Sequence, residues 1–95
     1  MTEVARISHT SVPPARASKA TTALLFAQPT RDLAASVQPC APLYTIEAAT
    51  RGPLEFVSGG VPLTDEQGTV IGAIGAGGGT PDQDHDVAAA AVDAY

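Results

Sequence analysis

The stretch GGVPLTDEQGTVIGAIGAGGGTPDQD, residues 59–84, contains the local signals that decide the fold. Two apolar runs, Val61–Leu63 and Thr69–Ala76, flank a polar turn that ends at Gly68, a residue type that tolerates a positive φ angle. This pattern predicts an antiparallel β-hairpin. Pro62 inside the first run is typical of an edge or irregular strand, because proline has no backbone N–H to donate.

The hairpin is followed by the clearest helix start in the chain. Three glycines make a tight turn, and Thr80 then stands at the N-cap, with Pro81 at the first helical position and Gln83 where it completes a capping box. Aspartates in the first turn suit the positive end of the helix dipole. These signals predict a helix over Pro81–Ala94.

The residues before the hairpin alternate between helical patterns and short apolar runs. The predicted elements are a strand at Glu3–Ser8, a helix at Pro14–Ala27, shorter helical pieces at Thr30–Val37 (capped by Thr30) and Leu43–Thr50, and a strand at Leu54–Val57. The whole pattern predicts an α+β fold, in which a small antiparallel sheet of three or four strands packs with helices. With 95 residues, the chain is one domain, 1–95.

Charge is unevenly distributed along the chain. The first 51 residues hold five basic and three acidic residues, a balance of +2, whereas the last 44 hold seven acidic residues and no basic one, a balance of −7. Nucleic acid is therefore not an expected partner, since phosphate binding needs a basic surface. An acidic surface that keeps the protein soluble accounts for this distribution. The alternative is that oppositely charged ends steer the assembly of copies.

Targeting and redox signals are scarce. No apolar run reaches the roughly 18–20 residues of a membrane helix, and the N-terminus lacks the basic and apolar regions of a secretion signal. Cys40 is the single cysteine, so an intrachain disulfide and a cysteine-based metal cluster are excluded. We expect no membrane partner and a cytoplasmic location.

Two segments together resemble the GlcG/HbpS-like haem-binding family, which includes the C-terminal domain of PduO-type proteins. Residues 59–84 are similar to its signature of a GGVP strand, an acidic turn, a VIGAIG strand and a QD-containing helix, and ARASKATTALLFAQPT, residues 15–30, is similar to its upstream helix. Departures from the pattern are Ser58, Gly77 and His85, where Pro, Ser and an acid are usual. The resemblance implies an α+β fold and a function in haem binding or haem handling.

Family domains open with a helix and a strand ahead of the segment that resembles EVARIS. Because Met1 falls where the second strand begins, the resemblance implies that this chain lacks the first helix and first strand. A sheet short of one strand exposes an edge and part of its core. We therefore expect a homo-oligomer or, alternatively, a heteromer with a longer paralogue.

The resemblance to haem-binding proteins directs attention to side chains that could ligate iron, which takes His, Cys, Met or Tyr as an axial ligand. The preferred candidate is His9, because Arg6 and Arg16 flank it and could meet the haem propionates. A solvent-exposed loop histidine is the alternative. Other donors are His85 (expected to be exposed in the acidic helix), Cys40 (expected to be a packed residue), Tyr44 and Tyr95.

Lys19 matches a lysine of the family's helix and is a candidate cofactor-binding cation, although a lysine extending into solvent is the commoner situation. If the fold instead serves an enzyme or enzyme subunit acting on a small organic substrate, Lys19 and His9 are the candidate acid/base residues. A ligand-free assembly subunit is a further alternative. No Ser/His/Asp or Cys/His arrangement and no paired-histidine metal motif is legible, so the sequence does not decide whether the protein is an enzyme.

Overall fold

A computed structural model of the chain describes residues 3–7, 15–50 and 53–95, with side chains described from Ala17 onward in those ranges. The α+β architecture predicted from the sequence is confirmed. Its elements are strands β1 (Glu3–Ile7), β2 (Gly60–Thr64) and β3 (Val70–Gly77), α-helices α1 (Ala15–Phe26), α2 (Thr30–Leu33) and α3 (Pro81–Ala94), and 3₁₀ turns at Ala34–Val37 and Ile46–Ala49.

The three strands form one antiparallel sheet in the order β1-β3-β2. The Cα atom of Ala5 lies opposite that of Gly75 on one side of β3, and Val61 lies opposite Ile74 on the other. The predicted hairpin between β2 and β3 is confirmed. Its turn is held by Asp65, and Gly68 has the expected positive φ angle, +82°.

The two long helices cover opposite faces of the sheet. On one face, Ala20 and Ala23 of α1 pack against Ala73 of β3, and the methyl side chains let helix and strand backbones lie close together. On the other face, Ala88 of α3 packs into a cluster of larger side chains from β2 and β3. That cluster consists of Val61, Leu63, Ile74 and Ala76. Successive residues of a strand point to opposite faces, so Ala73 and Ile74 belong to different cores.

The segment predicted as a strand at Leu54–Val57 is not a strand, and that prediction is wrong. Side chains rather than a neighbouring strand hold its backbone. The Leu54 N–H donates to Glu47 Oε2 (2.9 Å), and the Glu55 N–H donates to Thr22 Oγ1 (2.8 Å). The Val57 carbonyl accepts the Thr30 hydroxyl (2.8 Å). Once these groups have partners, the segment needs no ladder of strand hydrogen bonds.

The middle helical pieces are shorter and tighter than predicted. Pro29, not Thr30, stands at the N-cap of α2, and Thr30 makes no capping bond because its hydroxyl is used across the fold. The α-helix lasts one turn and continues as the first 3₁₀ turn, and of the piece predicted at Leu43–Thr50 only the second 3₁₀ turn is helical. Proline-rich surroundings and few buried side chains explain such short elements.

The C-terminal helix begins as predicted. The Gln83 N–H donates to Thr80 Oγ1 (3.2 Å), and the Gln83 side chain accepts from the Thr80 N–H (3.0 Å), which completes the capping box before the N1 residue Pro81. At 14 residues α3 is longer than α1, and none of the helices in the described ranges has the length and apolar character to cross a bilayer. α1 ends one residue earlier than predicted, where Ala27 adopts a φ angle of +57°.

Candidate functional site

A buried ion pair joins the two long helices. The Lys19 ammonium of α1 lies 3.1 Å from Asp84 Oδ2 of α3, and the two side chains retain only 6% and 3% of their exposure. Lys19 Nζ also donates to the carbonyl of Ala76, at the end of β3 (3.1 Å). The lysine therefore connects α1, the central strand and α3 at one end of the sheet.

The glycine pair at the start of β2 makes room for this lysine. A Cβ atom on Gly59 would lie 2.6 Å from the Ala76 carbonyl oxygen and 3.0 Å from Lys19 Cδ, and the φ angle of Gly59 is +130°. A Cβ atom on Gly60 would overlap the backbone carbonyl of Lys19. Gly60 is thus required by the close approach of the α1 backbone, and Gly59 by the Ala76 carbonyl, the neighbouring side chains and its positive φ angle.

Asp84 also holds the turn between β3 and α3. Its Oδ1 atom accepts the Gly79 N–H (2.9 Å), while Oδ2 accepts from Lys19. Asp84 is in the first turn of α3, where the partial positive charge of the helix N-terminus favours a carboxylate. We call Lys19, Gly59, Ala76, Gly79 and Asp84 the lysine–aspartate cluster.

The lysine–aspartate cluster joins α1, β3 and α3 through hydrogen bonds and an ion pair within the protein. The expectation that Lys19 extends into solvent is wrong, since the residue is 5% exposed. Both oxygens of Asp84 accept hydrogen bonds from the protein, and Lys19 donates hydrogen bonds to two protein acceptors. A buried charge with such partners positions the backbone, and a contact between Lys19 and a cofactor remains a prediction.

The preferred haem-site residues surround the connection between β1 and α1. Arg6 belongs to β1 and Arg16 to the first turn of α1, with their side chains outside the description. His9 lies outside the described residues. The sequence alone relates His9 to Arg6 and Arg16, and the role of the three residues in binding stays a prediction.

The other potential iron ligands occupy very different environments. His85 is 8% exposed, and no hydrogen-bond partner of its Nδ1 atom is present in the part of the chain that the structure describes. The expectation of an exposed His85 is therefore wrong, because it lies next to Asp84 on the packed face of α3. Cys40, expected to be packed, is exposed, as are Tyr44 (55%) and Tyr95 (61%). Within the described ranges no group of three His, Cys, Asp or Glu side chains could hold a metal ion.

Sequence reasoning missed Asp84 as the partner of Lys19 and Gly59 as the residue that makes space for it. Lys19 and Asp84 are 65 residues apart, so no local pattern connects them. One signal was available. Lys19 is the single lysine of the chain, and it lies in a helix composed mostly of small residues. Such a helix can pack closely against its neighbours, and this favours a buried position for the lysine side chain.

Comparison with known proteins accounts for this architecture. Residues 10–93 match the family described as "Haem degrading protein HbpS-like". The chain belongs to this family. The match includes α1, β2, β3 and most of α3, and therefore the complete lysine–aspartate cluster. The resemblance carried by residues 15–30 and 59–84 is confirmed.

Individual relatives extend the comparison. The chain is 37% identical over 78 residues to an uncharacterised 15.0 kDa protein of the dhaT-dhaS intergenic region of Citrobacter freundii. The aligned segment includes 82% of this chain and 54% of that protein. It is 38% identical over 74 residues to the corrinoid adenosyltransferase PduO of C. freundii, in an alignment that includes 78% of this chain and 22% of PduO. The chain thus spans about half, or less, of the length of these curated relatives.

A solved structure agrees with the whole fold. The crystal structure of a PduOC:heme complex superposes with a TM-score of 0.81 at 30% identity, covering 99% of this chain and 78% of that one. The arrangement of sheet and helices described above is therefore the arrangement of that protein over nearly all of this chain.

Proposed function

We propose that the protein is a haem-binding or haem-handling module. The observation that supports this proposal is the superposition of 99% of the chain on PduOC, a relative solved in complex with haem, at 30% identity. Membership of a family described as haem degrading points in the same direction. PduO as a whole is named for corrinoid chemistry, but the chain spans only 22% of PduO, so we do not infer a corrinoid-related function for the chain from that name.

The residues of the chain fit a haem site in their chemistry. Haem needs an axial donor. The His85 ring is packed at 8% exposure, whereas Cys40, Tyr44 and Tyr95 are exposed donors. We keep His9 as the preferred axial ligand because Arg6 and Arg16 flank it in the sequence and could bind the two propionates. When bound, haem would supply a redox-active iron. The protein would orient it and limit the access of water.

The lysine–aspartate cluster has a supporting part in this proposal. It fixes the first turns of α1 to the sheet, and the connection that contains His9 leads into α1. Because Lys19 is buried and paired, the alternative of an enzyme that uses Lys19 as an acid or base is disfavoured. A homo-oligomer, with the ligand near an interface between subunits, belongs to the same proposal.

Titration of the purified protein with hemin tests the function. We expect a shifted and sharpened Soret band that saturates at one haem per chain or per subunit pair. Absence of a Soret change, or a Kd weaker than about 100 μM (a binding free energy smaller in magnitude than about 5.5 kcal/mol), would show that the protein does not act on haem.

Substitutions test the ligand separately. We expect His9→Ala to abolish the shifted Soret band, whereas Cys40→Ser and Tyr44→Phe, which alter exposed donors, keep it. Circular dichroism of each variant controls for folding. If His9→Ala binds hemin like the unaltered protein, the function stands and the assignment of His9 as axial ligand is wrong.

A further inference from the structure

His85 is a buried titratable residue that the proposed function does not use. It is 8% exposed, and its Nδ1 atom is buried with no hydrogen-bond partner in the part of the chain that the structure describes. Buried polar atoms in folded proteins nearly always have such a partner, because an unpartnered one opposes folding. An imidazole left in this state therefore requires a specific explanation.

The His85 ring lies in the contact between α3 and the sheet. The buried residues of α3 are Asp84, His85 and Ala88, and Ala88 packs with Val61 and Ile74 of the sheet. His85 and Ala88 are three residues apart, so they lie on the same side of the helix. Because Ala88 is the single fully buried apolar residue of α3, the docking of this helix depends on how well the sheet accepts the His85 ring.

The elements packed against α3 offer the His85 ring no free charge of opposite sign. The strands β2 (GVPLT) and β3 (VIGAIGAG) contain no titratable residue. Among the described side chains of α1, the charged one is Lys19, which is positive and is paired with Asp84. Both oxygens of Asp84 are already used, by Lys19 and by the Gly79 N–H. No group on these elements is therefore available to stabilise a protonated ring.

The remaining titratable groups of α3 itself are exposed. Asp82 and Asp86 are the nearest of them to His85 in the sequence, and water screens their attraction for a charge on the ring. Asp93 and Tyr95 lie eight or more residues further along the helix, a rise of about 12 Å or more. These groups compensate little for the burial of a charged imidazole.

Protonation changes what the buried ring requires. A neutral imidazole can have its unprotonated nitrogen at Nδ1, whereas the protonated ring carries an N–H at both nitrogens and a positive charge. The N–H at Nδ1 of His85 would then have no acceptor among the described residues. A buried charged donor without a partner is less stable than a neutral acceptor at the same place. In water, by contrast, an imidazole takes up its proton freely near pH 6.5.

We propose that His85 makes the docking of α3 on the sheet sensitive to pH, so that α3 is held while the ring is neutral and loosened when it is protonated. The released helix binds one proton more than the docked helix, so acid favours release. With the docked ring neutral and a released histidine titrating near pH 6.5, the opening equilibrium constant of α3 rises about tenfold between pH 7.5 and pH 5.5. The device involves no haem and does not depend on the proposed function.

Amide hydrogen exchange of the protein without hemin tests the proposal. Protection factors, which correct for the intrinsic pH dependence of exchange, report the opening of each element. We expect the protection factors of the α3 amides to be about tenfold lower at pH 5.5 than at pH 7.5, and those of the α1 amides to change less. Constant protection of α3, or an equal fall in α1, would overturn the proposal.

Substitutions identify the proton that is responsible. The chain has two histidines, and carboxylates ordinarily titrate below this pH range. His85→Phe keeps an aromatic ring that binds no proton, so α3 should lose its pH dependence, whereas His9→Gln, the matched control, should retain it. An undiminished fall in His85→Phe, or the loss of the fall in His9→Gln, would contradict the assignment to His85. If circular dichroism shows His85→Phe to be unfolded, His85→Leu takes its place with the same expected result.

Discussion

At the scale of single residues, Gly59 shows how a backbone position can be dictated by a distant side chain. Its φ angle is +130°, and its missing Cβ leaves room for the Ala76 carbonyl, for Lys19 Cδ and for Asp84 Cβ. Gly68 also has a positive φ angle, +82°, but no atom lies within 4 Å of its virtual Cβ. Both glycines therefore adopt a backbone conformation that disfavours other residues, but only Gly59 also lacks space for a Cβ atom.

This difference predicts unequal effects of the same substitution. Gly68→Ala should lower the free energy of unfolding by about 1–2 kcal/mol, the cost of a left-handed conformation for an alanine. Gly59→Ala should lower it by a further 1–3 kcal/mol or so, because the added methyl group overlaps the Ala76 carbonyl. Urea unfolding followed by circular dichroism measures both values. Equal losses for the two variants would mean that the close approach at Gly59 is relaxed at little cost.

At the scale of elements, the pair Lys19–Asp84 connects two helices that cover different faces of the sheet. α1 packs on the face of Ala73, and α3 packs on the face of Ile74, so no apolar contact of these two cores joins them directly. The ion pair passes around the end of the sheet at Ala76 and joins them there. It therefore couples two cores that the sheet separates.

A double-mutant cycle tests this coupling. Lys19→Met and Asp84→Asn should each lower the free energy of unfolding by about 3–5 kcal/mol, because each removes the partner of a buried charged group. The double variant should lose clearly less than the sum, since neither unpaired charge remains. Denaturant unfolding provides the free energies.

The exposed pair Arg31–Asp32 is the control for this cycle. Its atoms are 3.8 Å apart and the side chains are more than half exposed, so Arg31→Met should change the free energy of unfolding by less than about 1 kcal/mol. Strict additivity of Lys19→Met and Asp84→Asn would show that the ion pair does not couple the helices.

At the scale of the whole molecule, helices cover both faces of the sheet. α1 lies on one face and α3 on the other, and at the β2 edge the Gly60 N–H is bound by Thr30 while Pro62 has no N–H. The core is built largely of alanines, which bury little apolar area for each residue. Small domains with thin cores gain much of their stability from association.

If association stabilises the fold, thermal unfolding depends on protein concentration. We expect the midpoint Tm of the unaltered protein to rise between about 1 and 100 μM, because the native oligomer is favoured by mass action. Calorimetry or circular dichroism melting measures the midpoint at each concentration. A constant Tm for the protein would contradict a homo-oligomer.

The parts of the fold that could be predicted are those whose hydrogen bonds stay within a few residues. The capping box of α3 joins Thr80 to Gln83, and the turn before β3 is held by Asp65 bonding to residues two and four positions later. Such signals survive in any tertiary context, since the partners are already neighbours in the chain. The hairpin and the start of α3 therefore follow from local sequence.

By itself, the sequence determined the α+β class, the hairpin and the start of α3, because these follow from local patterns, and its resemblance over residues 15–30 and 59–84 indicated the family. Only the tertiary structure decided that Leu54–Val57 is bound by side chains instead of a strand, that Lys19 is buried against Asp84, and that the Gly60 N–H at the β2 edge is bound by Thr30. The physical reason is distance along the chain. Thr22 and Glu55 are 33 residues apart, and Lys19 and Asp84 are 65 residues apart. Only the packing of the helices on the sheet brings these polar groups within hydrogen-bonding distance.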